Sequence, residues 1–343
     1  MKRILILGGG GFIGMHLSKE LLKRKDCHIT LADYEFYRDL SEYFDHETLK
    51  KRVKIIKKDF TLIESFDHLG DQYDDFYMLA SVVGVNNTLD HPGEVLRVNV
   101  SLIQNSVEWL KHSTVKRVLF TSTSETYSGT IEKFNYKIPT DENVPLSISD
   151  ISDPRFTYAI TKIYGESCFL TLGREQNIKS TIVRYHNAFG PDMGFKHVIP
   201  HLVERFLNKE SPFKMYGYEQ TRSFSYIDDT VSGTILAMES ENTDGEVFHI
   251  GNNQEITIEV LIKEVGRLLE YEGEFVRAPT FPGSVSRRCP DINKAIRVLG
   301  YKPQINWQVG LEKTVDWYKD YFIKNQVTYN DGFKELDLDL GKD

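Results

Sequence analysis

The chain opens on Ile4-Leu5-Ile6-Leu7 and runs at once into Gly8-Gly9-Gly10-Gly11-Phe12-Ile13-Gly14. Four apolar residues with no polar alternation read as a strand buried on both faces, which a sheet covered on both sides can house. The glycines permit a tight turn into a helix whose free amides can hold a pyrophosphate. Two registers fit the run, Gly9-x-Gly11-x-x-Gly14 and Gly8-x-x-Gly11-x-x-Gly14. A second apolar strand, His28 to Ala32, ends on Asp33, about twenty residues past the last glycine, where a carboxylate accepts hydrogen bonds from ribose hydroxyls. A 2′-phosphate there would be repelled, so NAD is favoured over NADP. The competing reading of Asp33 is a loop-capping carboxylate.

The first half alternates strands (3–7, 28–32, 53–57, 76–80, 117–121) with helices (12–24, 94–112). This predicts an α/β chain with a doubly wound parallel sheet and ligands at the carboxyl ends of its strands. The glycine turn, Asp33, Asp59, the Ala80-Ser81 turn and the stretch Thr121 to Glu125 all fall at those ends and converge on one crevice. A helix at 157–173 and a strand at 180–184 continue the pattern. After Gly190-Pro191 the texture changes to shorter elements, with helices near 198–208, 229–239, 257–270, 291–299 and 308–324. The expected division is a dinucleotide-binding domain over 1–190, a smaller α/β lobe over 191–330, and a frayed acidic tail over 331–343.

At 343 residues the chain can bury an ample core, and its net charge of -8 gives no general attraction to nucleic acid or anionic membranes. Lys23-Arg24-Lys25 and Lys50-Lys51-Arg52 read as solvated helix ends. No stretch approaches the roughly 20 apolar residues of a membrane span. Cys27, Cys168 and Cys289 are far apart and odd in number, which points to a reducing, cytoplasmic compartment rather than a disulfide framework. No metal is expected: His197 and His201 have helical ligand spacing, but Pro200 and the lack of a nearby acidic ligand argue against it.

Tyr158 and Lys162 fall in the helix expected at 157–173. Their four-residue spacing puts phenol and ammonium on one face, where the cation can lower the phenol's pKa and make a proton shuttle. The Thr123 hydroxyl, just after the fifth strand, can hydrogen-bond a substrate hydroxyl while its proton is removed and the carbon-bound hydride leaves. Glycine turn and Tyr–Lys pair together point to hydride transfer to a dinucleotide.

With these residues in place, the chain resembles an extended short-chain dehydrogenase/reductase over nearly its whole length, specifically a nucleotide-sugar epimerase, dehydratase or decarboxylase. Gly8-x-x-Gly11-Phe12-Ile13-Gly14 is similar to that family's cofactor turn, and Asp59-Phe60 resembles its adenine-contacting pair. Leu79-Ala80-Ser81 and Asn99 fall where the family's sheet meets the cofactor. Arg184 to Pro191 resembles the family's Arg-x-x-Asn-x-Tyr/Phe-Gly-Pro run, and Gln220 to Asp229 its nucleotide-binding signature. Arg288-Cys289-Pro290-Asp291-Ile292 with Leu299-Gly300-Tyr301-x-Pro303 matches its usual ending.

The resemblance implies a Rossmann-type sheet with a C-terminal substrate-binding lobe, NAD as cofactor, and a nucleoside-diphosphate sugar as substrate, UDP or GDP being the expected nucleotides. Arg222 and Arg288 would grip the diphosphate or ribose, with ordinary salt bridges as the competing reading. Ser124 belongs to the expected substrate contacts, and Asn187 either binds substrate or ties its own loop. Tyr158 would take the proton of the C4 hydroxyl while Lys162 steadies the phenolate and binds the nicotinamide ribose. The 4-keto sugar so formed can be epimerised, dehydrated, decarboxylated or released.

Glu125 resembles the glutamate of UDP-glucuronate decarboxylases and GDP-mannose-type dehydratases, and Ser124 replaces the aspartate of dTDP-glucose dehydratases. Tyr127-Ser128-Gly129 departs from the family's usual Tyr-Gly. The expected role is in precursors for surface polysaccharide. The alternatives are a net C4-dehydrogenase that releases the ketone, and a catalytically inactive dinucleotide sensor, which the presence of Thr123, Tyr158 and Lys162 disfavours. The family commonly pairs two helices per subunit in a four-helix bundle, so a homodimer is expected. Val100, Ile103, Val107 and Leu110 either supply that seam or pack on their own sheet.

Overall fold

The computed structural model describes residues 1–279 and 285–325; the acidic tail and the last residues of the 191–330 lobe lie outside the described residues. Seven parallel strands form the central sheet. Six follow in chain order: β1 (Lys2–Leu7), β2 (Cys27–Asp33), β3 (Val53–Lys57), β4 (Asp75–Met78), β5 (Arg117–Thr123) and β6 (Lys179–Tyr185). The seventh, β7 (Val247–Ile250), comes from far downstream and pairs with β6, Val247 against Ile182 and Ile250 against Tyr185. The spatial order is β7-β6-β5-β4-β1-β2-β3. The order reverses between β1 and β4, which opens a crevice at the carboxyl ends of those two strands.

The apolar run at the start behaves as its pattern requires. Ile4 and Ile6 enter a core on one face of the sheet, and Leu5 and Leu7 a second core on the other. Helix α1 (Phe12–Leu22) packs Met15, Leu17 and Leu21 into the first core. Helices α2 (Pro92–Leu110) and α3 (Thr157–Gln176) cover the second, through Leu102, Ile103, Leu110, Phe169 and Leu172. The first core continues through the later part of the chain to Phe322 on α4 (Trp307–Asn325).

The strand β7 was not expected from the sequence. It is only four residues long and holds a histidine, so its pattern is weak. His249 is nonetheless fully buried, its Nδ1 3.0 Å from the Thr140 carbonyl. Above the sheet, a three-stranded patch pairs Thr221–Ser223 with Glu255–Thr257 and with Arg287–Arg288, which sets Arg222 beside Arg288. Cys27, Cys168 and Cys289 are free. No described helix is long and apolar enough to cross a membrane.

Candidate active site

The glycine turn is shaped by close backbone approach. Gly8 has φ +90, and a Cβ on it would come 2.5 Å from the Ala80 amide nitrogen. A Cβ on Gly14 would collide with the Gly8 carbonyl. The chain after β4 is docked onto the same point, because Leu79 N and Ala80 N both donate to Leu7 O, at 2.8 and 2.9 Å. Helix α1 starts at Phe12 with Gly11 as its cap and no side chain on its first amides, so Phe12, Ile13 and Gly14 present N–H groups suited to a pyrophosphate. The residues present thus fit a dinucleotide.

Asp33, at the end of β2, accepts from Gly10 N (2.9 Å) and Tyr34 N (2.8 Å). Burial pushes its carboxyl up to about 6 against those bonds. Asn99 clamps the loop after β4: its Oδ1 accepts from Val82 N at 2.7 Å and its Nδ2 donates to Val82 O at 3.1 Å. Ser81 lies in that loop. Asp59 caps the turn after β3 through Thr61 N at 2.9 Å, whereas the Phe60 ring is buried against Phe66 in the core and its carbonyl accepts from Asn105 Nδ2 at 3.2 Å.

Helix α3 holds the Tyr–Lys pair because small and aromatic residues key it to β5. A Cβ on Gly165 would strike the Phe120 ring, and Phe120 stacks on Phe169 at 4.8 Å. That contact sets Lys162 with its Nζ donating to Thr121 O at 2.8 Å and 5.6 Å from the centre of the Tyr158 ring. The next turn of the helix carries Glu166, in a buried bidentate pair with Arg184 (2.9 and 2.7 Å) and bonded by Ser122 at 2.5 Å. Burial brings the Lys162 ammonium down to about 7, with the Glu166 charge acting the other way. Burial pushes the Tyr158 phenol up, and the Glu125 carboxylate adds to the rise. The expected lowering of the phenol by the lysine is therefore absent.

Thr123 caps the turn Ser124–Tyr127, its Oγ1 accepting from Glu125 N at 3.3 Å; Ser124 beside it is buried. Glu125 points across to the other half of the chain and accepts from Arg288 Nη1 at 2.5 Å. Its burial is outweighed by Arg288 first, then by Arg155 and Arg222, so the carboxyl stays below its ordinary range. Arg222 is turned by Thr221 O (2.8 Å) and Gln220 Oε1 (3.2 Å), and burial, with Arg288 beside it, brings it down to about 10. Three guanidinium groups thus act on one carboxylate, and the Arg288 Nη2 is buried with no partner among the described residues.

A glycine turn at a switch point and a Tyr–Lys pair fastened to the end of β5 define one kind of site. The NAD dependent epimerase/dehydratase family matches residues 4–251. The chain belongs to this family. The UDP-N-acetyl-alpha-D-glucosaminuronate decarboxylase of Bacillus cytotoxicus is 32% identical to it over 329 residues, 93% of this chain and 98% of that protein. UDP-glucuronic acid decarboxylase 1 of Xenopus tropicalis is 30% identical over 322 residues, 93% of this chain and 72% of that protein. Among solved structures, the UDP-glucuronic acid 4-epimerase of Bacillus cereus, in complex with UDP-glucuronic acid and NAD, superposes with a TM-score of 0.80 at 25% identity, over 93% of this chain and 99% of that one.

This epimerase/dehydratase-family chain is therefore an NAD-dependent nucleotide-sugar enzyme. Two of its arginines escaped the sequence reading. Arg155 stands three residues before Tyr158, so its position was readable; its proximity to Glu125 was not. Arg38 follows Asp33 in a loop with no recognisable pattern. Asn187 adopts φ +41 and donates to Ser223 O at 2.8 Å, which ties its loop to the strand carrying Arg222.

Proposed function

We propose that this enzyme oxidises C4 of a UDP-linked uronate and uses the ketone to release the sugar's carboxyl group as carbon dioxide. The observation that carries this reading is the Glu125–Arg288 pair: Arg288 Nη1 donates to Glu125 at 2.5 Å while its Nη2 is buried with no partner among the described residues, and Arg155 and Arg222 add their charge to the same carboxylate, with Glu255 acting on Arg222. Such a cationic excess suits a substrate that bears a carboxylate as well as a diphosphate. The decarboxylases named among the relatives support the same reading.

In this proposal Thr123 orients the C4 hydroxyl, Tyr158 takes its proton, and Lys162 steadies the oxygen and binds the nicotinamide ribose. NAD, when bound, accepts the C4 hydride and later returns it. The C4 carbonyl is beta to the carboxyl group, so it receives the electron pair of the breaking C5–C6 bond. Glu125 and Arg288 govern the proton that C5 then regains. Gly8, Gly11, Phe12, Ile13, Gly14, Asp33, Asp59, Phe60, Leu79, Ala80, Ser81 and Asn99 form the cofactor side, and Ser124, Arg155, Asn187, Arg222 and Arg288 the sugar-nucleotide side. Residues 1–190 act mainly on the dinucleotide and 191–330 on the sugar nucleotide. The enzyme works as a cytoplasmic homodimer supplying a surface-polysaccharide precursor.

The test is mass spectrometry of products from UDP-glucuronate, UDP-N-acetylglucosaminuronate and neutral UDP-, GDP-, dTDP- and CDP-sugars. Loss of carbon dioxide from a uronate supports the proposal. Loss of two hydrogens makes the enzyme a net dehydrogenase, loss of water a dehydratase, and an inverted C4 at unchanged mass an epimerase. No product from any sugar leaves the inactive sensor.

A further inference from the structure

We propose that Arg38, Asp192 and Tyr43 form a clasp that keeps the dinucleotide in place between the two hydride transfers; its purpose rests on the reading above, in which the hydride returns to the same sugar. Arg38 lies in the loop after β2, and Asp192 follows Gly190-Pro191 in a segment 154 residues away. The guanidinium touches the glycine turn at one point and Asp192 at two. Its Nη1 donates to Gly10 O at 2.9 Å, its Nη2 donates to Asp192 O at 2.7 Å, and its Nε stands 2.6 Å from Asp192 Oδ2. The Tyr43 hydroxyl donates to the same carboxylate oxygen at 2.7 Å.

Gly10 belongs to the phosphate-binding turn itself, so the ion pair fastens the later segment directly to that turn. The two side chains are only 15% and 17% exposed, which leaves their attraction little screened by solvent. Asp192 is held at φ +61, a left-handed conformation that is unfavourable for a non-glycine residue and persists where surrounding contacts enforce it. The same segment is anchored on both flanks. His16 Nε2 of α1 lies 3.4 Å from Pro191 O, and Tyr318 of α4 donates to Gly194 O at 2.8 Å.

Separating the segment from the turn strands two largely buried charges, and that penalty falls on dissociation. An enzyme that must hand the hydride back gains from slow release, because an escaped reduced dinucleotide leaves the 4-keto sugar as product. Neither Arg38 nor Asp192 needs to touch the sugar for this role.

The experiment loads the full-length protein with a fluorescent NAD analogue and follows its release into excess NAD, with no sugar present. Asp192→Ala and Arg38→Met should each raise the dissociation rate roughly tenfold or more. The double variant should release little faster than either single one, since both remove the same unit. Tyr43→Phe, which deletes one hydrogen bond and keeps the ring, should give a smaller rise in the same direction. Native release rates in Tyr43→Phe and in folded Asp192→Ala would overturn the clasp. If Asp192→Ala does not fold, Tyr43→Phe decides alone. Failure of the decarboxylation reading would appear only in the sugar panel, so the two cannot be confused.

Discussion

Lys162 carries the clearest conflict between solvation and chemistry in the molecule. Its pKa of about 7 in the folded chain lies below the ordinary 10.5, so between those values the unfolded chain binds a proton that the folded chain has released. Stability from this group therefore rises with pH through that window, and the full burial penalty is present below about 7. Lys162→Met should stabilise the fold at neutral pH by roughly 1–3 kcal/mol, read as a higher melting temperature, and lose the advantage towards pH 10. An offset equal at every pH would contradict costly burial. Tyr158→Phe keeps the ring and removes the ionisable oxygen. It should leave NAD binding intact and slow hydride transfer by roughly 10²–10⁴-fold, followed by nicotinamide absorbance in a single turnover. Asp33 behaves in the opposite sense to Lys162, since its carboxyl is pushed up to about 6 and gains a proton as pH falls through that value. NAD affinity should weaken below about pH 6. Asp33→Asn keeps an acceptor for Gly10 N but no charge, so titration should show a narrower preference for NAD over NADP.

Helices α2 and α3 show how much of an element's role is settled by what lies beneath it. Ile103 and Leu110 are 2% and 1% exposed and belong to the core under their own sheet, so they are not available as a seam. Val100 and Val107 remain half-buried, and Gln104 of α2 meets Tyr164 of α3 at 3.0 Å. If this paired face is the dimer contact, Val107→Glu should shift light scattering from dimer to monomer with little change in melting temperature, because a charge at a half-buried position opposes association more than folding. An unchanged mass would place the contact elsewhere. The apolar spacing on α2 is equally compatible with packing inward or outward, and only the position of the sheet separates Ile103 from Val107.

At the scale of the whole molecule, β7 and the first core tie the late part of the chain into the early part, so the two should unfold together. Trp109 reports the early part, packed on Phe66 and Phe76, while Trp307 and Trp317 report α4. Single-tryptophan variants followed in urea should give coincident midpoints; two separated transitions would show that the late part melts on its own. The strands β1 to β6, the helices α1 to α3, the glycine turn with Asp33, and the Tyr158–Lys162 face were legible in the sequence, whereas the short helices His46–Arg52, Val85–Asp90 and Ser128–Phe134 were not. Each legible feature depends on contacts within a few residues, on periods set by covalent geometry. The pairing of Glu125 with Arg288 spans 163 residues, and that of Arg38 with Asp192 spans 154. The seventh strand likewise finds Ile182 from far away. Such partners are chosen by where the chain returns, and no local spacing encodes that. The same holds for the phenol of Tyr158 and the ammonium of Lys162. Their identity and spacing are written in the sequence, but their proton affinities follow from how completely the folded chain excludes water around them.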